Sequence, residues 1–264
     1  MRDRLPKYAL WLALALLGWF FIAAFFTKWG LIGWRTGFGF MTVTAGPILI
    51  AIVALVAVVA LVLALRQRPR GPWWKAALAL AIPLVLFGGL AVAQARGAAA
   101  PPIHDVSTDV IDPPQFSVRT MALRESVDAN PLVDYGTPLG QMDPWRERVS
   151  GEMAIKTHAD LMAEHYSRLR PIATGRVSQA QALDAVVAAM ADIGLQDIRR
   201  DPQAGTVEGV AETFAFGFRD DVVARVRDGR IDLRSVSRVG VSDLGYNAAR
   251  LERLSSAIRR RLPG

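Results

Sequence analysis

Three long apolar runs open the chain, and a regularly patterned polar stretch fills the rest. Tyr8–Phe26, Ala45–Leu65 and Trp73–Val92 hold no Asp, Glu, His, Lys or Arg apart from Lys75 near the start of the third. The first run has 19 residues, which at a helical rise of 1.5 Å per residue matches the roughly 30 Å of a hydrocarbon core. These runs predict three membrane-crossing helices forming an anchor over residues 1–96. Lys28–Val43 reads as a glycine-rich link whose Trp29 and Trp34 suit the headgroup level. Arg66–Lys75, rigid with proline, reads as a tight hairpin. Pro83 predicts a kink in the third helix.

A signal peptide also begins with positive charge and an apolar run, but it ends in small residues at a cleavage site. The first run ends in Phe25-Phe26-Thr27-Lys28, so a retained helix is the better reading. Ala93-Gln94-Ala95 is the alternative place for cleavage.

From Gly97 the pattern changes. Gly97–Pro102 reads as a small-residue tether, and Ile103–Phe116 as an acidic, proline-stopped loop lying on a folded surface; together they form an extended tether and leading loop over 97–118. Residues 119–149 carry no consistent period. Glu147–His165 can form a helix with Met153, Leu161, Met162 and His165 near one face, and Leu169–Ala173 a short strand. Gln179–Ile193 is the clearest helix. Ser178 and Gln181 stand at capping-box spacing, Gly194 stops it, and Leu183, Val186, Val187, Met190 and Ile193 follow the 3.6 period. Strands follow over Gln196–Arg200, Thr206–Phe216, Val222–Arg227 and Arg230–Val236. Asp228-Gly229 is a two-residue hairpin signal, and Val222, Ala224, Val226, Ile231 and Leu233 share a face. Asn247–Leu262 closes the chain as a helix with Leu251, Leu254 and Ile258 inward. The expected fold is α+β: three transmembrane helices, then, over 119–264, an antiparallel sheet covered by helices on one face. No strand–helix alternation of the nucleotide-binding kind and no solenoid repeat is present.

Charge changes the picture in one respect. The formal net charge of +7 would suit a nucleic-acid binder, but it is unevenly placed. Residues 1–96 carry ten Lys/Arg against Asp3, whereas 97–264 carry 21 against 23 acidic residues. The basicity thus belongs to the membrane flanks, and the domain has no net positive field for a polyanion. No nucleic-acid partner is expected. The N-terminal flank (Arg2, Arg4, Lys7) and the 66–75 hairpin (Arg66, Arg68, Arg70, Lys75) are richer in positive residues than the 28–43 link (Lys28, Arg35) or the third run's exit (Arg96). The positive-inside rule therefore predicts a cytoplasmic N-terminus and a periplasmic C-terminal domain on a bacterial inner membrane. The three runs lack the buried charges of ion and proton paths, so an anchor, or a surface for other membrane helices, is expected rather than a channel.

The chain has no Cys, which excludes disulfides, thiolate metal sites and cysteine nucleophiles. Gly-x-Ser-x-Gly, a phosphate-binding glycine loop and His-Glu-x-x-His are all absent. His158 and His165 fall about 10 Å apart along one helix, too far for one metal without other ligands. No metal, cofactor or catalytic residue is assigned.

Two stretches carry a family resemblance. Ile103-His104-Asp105 through Thr108-Asp109 to Asp112-Pro113-Pro114-Gln115-Phe116 is one. Thr213–Asp221, continued by Arg234-Ser235-Val236-Ser237-Arg238 and Gly240–Arg250, is the other. They resemble the bacterial domain-of-unknown-function family numbered 1499, over roughly residues 103–262. Ala215 departs from the large aromatic expected there, and 119–168 resembles the family only loosely. The resemblance implies a small α+β domain, often membrane-tethered, with no established activity.

The candidate site is Arg234, Arg238, Asp243, Asn247 and Arg250 with Asp220 and Asp221. If the arginines point outward, they form a fork for a carboxylate or phosphate, assisted by the helix start at Asn247. If they point inward, Asp220 and Asp221 pair with Arg234 and Arg238, and Asp243 or Asn247 caps the helix. Phe214, Phe216 and Phe218 alternate, which suits core packing better than an acyl groove. His104-Asp105 is expected to pin the leading loop. The function expected is a membrane-anchored accessory or binding module of the cell envelope, with membrane lipid or a membrane protein as partner. An enzyme of envelope lipid or glycan chemistry, using Asp220, Asp221 or His104 as acid/base, is the alternative, as is an accessory subunit of a larger membrane complex.

Overall fold

The computed structural model describes residues 4–67 and 70–262. Arg2 and Asp3 of the N-terminal flank and Arg68 of the hairpin lie outside the described residues. Two compact units emerge: Met1–Ala95 with Thr213–Gly217, and Arg96–Glu212 with Phe218–Gly264.

The first unit contains three helical stretches long and apolar enough to cross a membrane: Leu5–Phe26, Arg35–Arg66 and Trp73–Ala99. Helix α1 (Leu5–Phe21) continues as a π-helical segment to Phe26, and a second π-helical segment, Arg35–Thr44, runs into α2 (Ala45–Arg66). The expected 28–43 link is thus mostly helix. One of its glycines permits close packing: a Cβ on Gly37 would lie 1.8 Å from Thr27 Oγ1 and 2.6 Å from the Ala23 carbonyl. Thr42 and Thr44 donate to the carbonyls of Gly37 and Gly39, five residues back, which fits the wider winding. Helix α3 (Trp73–Ala99) runs past Val92, carried by its alanine-rich tail. Most of the buried side chains are small, with Ala9, Ala13, Ala57, Ala60, Ala76 and Ala79 at the seam beside Leu16, Ile50 and Val53.

Phe214 and Phe216 belong to this unit rather than to the sheet core, contrary to the packing expected from their alternation. The strand ends at Glu212, Phe216 takes a positive φ of 64°, and Phe214 is 80% exposed. Their rings stand edge-on to Phe25 and Phe38.

The second unit is an antiparallel sheet with helices. Its central strands are β3 (Gln196–Asp201), β4 (Thr206–Glu212), β5 (Arg219–Arg227) and β6 (Arg230–Ser237), each paired with the next. Two short strands, β1 (Asp105–Ser107) and β2 (Ile172–Ala173), both pair with β6. The expected leading loop therefore supplies a strand. Asp228 and Gly229, with φ of 53° and 72°, make the tight turn that a two-residue hairpin requires. Opposite pairs Val226–Ile231 and Ala224–Leu233 set the buried face. That face packs on α7 (Gln179–Asp192) and α8 (Tyr246–Arg259) through Leu183, Val186, Met190, Leu251, Leu254 and Ile258.

The other face is covered as well, by a segment the sequence pattern left unassigned. Helix α4 (Val118–Ser126) starts at a Ser117 cap, and Phe116 packs on Val223 and Val236. The single helix expected over Glu147–His165 is two short ones, α5 (Glu152–Ile155) and α6 (His158–His165). They are separated because Thr157 and Asp160 form a capping box that begins a new helix.

Candidate functional site

Alternation along β5 and β6 sends successive polar side chains to opposite faces of the sheet, which divides the candidate residues into two sets. On the α8 side, Arg250 donates to Asp220 Oδ2 at 2.6 Å and to Ser235 Oγ at 2.9 Å. Asn247 accepts from Ser235 at 2.7 Å and donates to the His104 carbonyl at 3.0 Å. Asp243 accepts from the backbone N–H of Asn247 at 2.6 Å and of Gly245 at 2.9 Å, closing the start of α8. Burial pushes the Asp243 carboxyl up to about 6, against the pull of those two N–H donors.

On the opposite side, Asp221 lies between two arginines. Arg238 grips it with Nη2 at 2.7 Å and Nε at 3.0 Å, and Arg124 of α4 donates at 2.5 Å. Arg234 holds Asp105 of β1 in a two-point pair at 2.6 and 3.0 Å. Tyr135 Oη donates to the same carboxylate at 2.6 Å, and the Val133 N–H at 3.2 Å. Burial alone would raise the Asp105 carboxyl, but the Arg234 charge and these hydrogen bonds hold it below its ordinary value. The Tyr135 phenol, buried beside that carboxylate, is raised well above its usual range.

All seven candidate residues are buried. The structure brings Asp220, Asp243, Asn247 and Arg250 together where β5 and β6 meet α8. It places Asp221, Arg234 and Arg238 on the far face. The outward fork is not formed, and the guanidinium groups point into the domain. Of the expected inward pairs, Asp221–Arg238 is present, whereas Asp220 pairs with Arg250 and Arg234 with Asp105. Arg124 and Asp105 complete these contacts. Arg124 lies in the stretch without a legible period. Asp105 stood in a segment read as loop, because β1 is only three residues long and buried throughout, which leaves no alternation to read.

His104 and His158 both pack on Trp145 in the core: His104 stacks on the indole at 5.1 Å, and His158 stands edge-on at 4.9 Å. Burial lowers both imidazoles, His158 to about 4. Both ring nitrogens of His158 and Nδ1 of His104 lack a hydrogen-bond partner. Among the described residues no His/Asp/Glu cluster has the arrangement of a metal site. Two open clefts, of about 410 and 230 Å³, flank the outer side of α8, and neither is lined by any of these titratable groups.

Residues 105–258 match the family described as "Protein of unknown function (DUF1499)". The chain is a DUF1499 protein. Its match runs from β1 nearly to the end of α8, so the family's span includes both faces of the paired Arg/Asp network. The comparisons with curated proteins and with solved structures return no match.

Proposed function

We propose that this DUF1499 protein is a membrane-anchored accessory module that binds a component of the cell envelope. In this reading the three helices hold it in the bacterial inner membrane and the DUF1499 domain works on the periplasmic side. The observation that carries the reading is the disposition of the domain's polar groups. Asp243, His104 and His158, whose carboxyl and imidazoles are displaced towards the neutral form, are enclosed, while the two clefts beside α8 are lined by arginine, serine and the single carboxylate Glu252, with no second acid or base beside it. Paired acid/base chemistry needs two such groups within reach of substrate; a binding site needs available donors in a concave surface.

Positive residues concentrated at the N-terminus and the 66–75 hairpin support the orientation. A reporter active only in the periplasm, fused after Gly264, tests it: activity is expected, and silence with a cytoplasm-active reporter switched on overturns it. Native mass spectrometry of the full chain, extracted gently from its membrane, tests the binding. A retained lipid or polymer fragment is expected. A stoichiometric protein partner without any small molecule would replace the binding module with an accessory subunit.

A further inference from the structure

The arginines of the domain interior are matched with carboxylates, and Arg261 beyond α8 pairs with Asp192, but several other arginines around the outer side of α8 are not matched. Among the described residues, Arg168, Arg253, Arg259 and Arg260 make no side-chain hydrogen bond and no ion pair. Arg168 and Arg259 line the cleft of about 230 Å³ together with Leu169, Glu252, Ser255 and Ser256. Arg168 follows α6 in the chain and Arg259 lies in the last turn of α8, so two separate elements supply the cations. A basic residue in a last helical turn has an ordinary explanation in the helix dipole. That explanation does not reach Arg168, which is outside any helix, nor Ser255.

Ser255 is the deciding residue. It is 4% exposed, it lines this cleft, and its hydroxyl has no hydrogen-bond partner. A buried hydroxyl without a partner is unfavourable, and such groups are normally satisfied by protein, water or ligand. Here the unsatisfied group sits in a cleft with two available guanidinium groups. Guanidinium and hydroxyl donors together are the usual recognition set for a phosphate oxygen. Glu252 stands in the same cleft and repels a bare anion. A phosphate that carries an amine next to it turns that repulsion into a contact, because the carboxylate can accept from the ammonium.

We propose that the cleft between α8 and the Arg168–Leu169 turn is a binding site for a zwitterionic phosphate ester of the phosphoethanolamine type. Arg168, Arg259 and Ser255 hold the phosphate, and Glu252 holds the amine. The proposal rests on the reading of the domain as a binding module and gives that module a place and a ligand class. The ligand chemistry has two sources, a lipid headgroup and a free phosphate ester.

The test is a titration of the full chain in a maltoside detergent, followed by phosphorus NMR. The probes are O-phosphoethanolamine, inorganic phosphate and dihexanoyl-phosphatidylethanolamine. Saturable binding of an ethanolamine phosphate is expected, weakened at least about tenfold in R168Q/R259Q and weakened in S255A. E252Q is expected to weaken the ethanolamine esters while leaving inorganic phosphate unchanged or improved. A lipid ester that binds about tenfold more tightly than its headgroup identifies a lipid as the source; equal affinities identify a soluble ester. Arg168, Arg259 and Glu252 are exposed on the cleft, and S255A, which removes a buried unpaired hydroxyl at its floor, is expected to melt no lower than the parent chain. Absence of saturable binding by all three probes overturns the site, as does binding that R168Q/R259Q leaves intact. If native mass spectrometry still retains another ligand in that case, the site falls and the binding module stands.

Discussion

The two units bury opposite kinds of residue. In the helical unit alanine dominates the interior, beside Leu16, Ile50 and Val53, and many large side chains face out: Leu55, Val85 and Phe87 are all exposed, Val85 at 74%. In the DUF1499 domain the large side chains are inside, and so are charges, with Asp105, Asp221, Arg124 and Arg234 among the least accessible residues. The surrounding medium explains the inversion. Lipid gives apolar groups no reason to leave the surface, so helices there gain by close approach of small residues. Water drives apolar groups inward, and a sheet with both faces covered encloses whatever polar residues its alternation sends there. The charged ones among them are tolerated when each is paired.

The largest expected effect tests that pairing. Arg234→Met leaves Asp105 charged and enclosed beside Tyr135, which is expected to cost about 3–5 kcal/mol in urea unfolding of the domain. The double variant Arg234→Met/Asp105→Leu is expected to recover much of the loss, because removing both partners also removes the uncompensated charge. A single variant as stable as the parent would show that the pair does not hold the sheet, and the contrast between the interiors would weaken.

Second in size is acid sensitivity, which the helical unit's interior, without ionisable groups in its core, has no means to show. His158 titrates near 4 in the fold and near 6.5 in the unfolded chain, so the unfolded state takes up more protons between those values. Stability is then present above about 6.5 and is lost as pH falls towards 4, by about 3 kcal/mol for this residue. His104 acts in the same direction. Asp243 acts in the opposite one: its folded value near 6 lies above the ordinary 3.8, so it contributes stability as pH falls through 6. His158→Phe is expected to flatten the decline between pH 6.5 and 4 without loss at pH 7, since neither ring nitrogen has a partner. Asp243→Asn is expected to steepen it. Chemical denaturation at several pH values separates the two slopes, and unchanged slopes would refute the assignment.

Third comes the alanine seam. Ala57 is fully enclosed in α2, and Ala57→Leu forces the helices apart at an expected cost of about 1–3 kcal/mol. Leu55→Ala, two residues away on the outward side, is expected to change packing little. Thermal stability of the detergent-solubilised chain reads both, and equal effects would deny the inverted packing.

The same contrast decides how much was legible in the sequence. Period and punctuation identify elements where one solvent boundary runs along them. The α7 capping box, the Asp228-Gly229 turn and the Val222/Ala224/Val226 face could all be read because one side meets the core and the other does not. Helix α4 and strand β1 could not, since they cover a sheet face through Arg124–Asp221 and Asp105–Arg234 pairs, contacts without any period. The π-helical stretch from Arg35 resembled a link because it holds Gly37 and Gly39, and glycine marks turns in water, whereas Gly37 here lets the backbone approach Ala23 and Thr27. For the candidate site, residue types were legible and direction was not. Neighbours such as Asp220 and Asp221 face opposite ways, so closeness in sequence was no guide to convergence.

The smallest expected effect concerns helix starts. In the domain, α4, α6 and α7 begin with Ser117, Thr157 and Ser178 side chains accepting from the first turn. In the helical unit, α2 follows directly from the preceding helical segment, and its first-turn N–H groups already meet carbonyls there; Thr44 makes no cap and donates to the Gly39 carbonyl instead. Ser178→Ala removes an acceptor that nothing else replaces and is expected to cost about 1 kcal/mol, a drop of a few degrees in the domain's melting temperature. Thr44→Ala is expected to leave the helical unit's melting unchanged within about 0.5 kcal/mol, because the backbone there is satisfied without the side chain. If the two substitutions cost the same, capping would matter equally in both media. A null effect at Thr44 beside a measurable loss at Ser178 would instead show that side-chain caps are needed where a helix begins in water and dispensable where it continues from another helix.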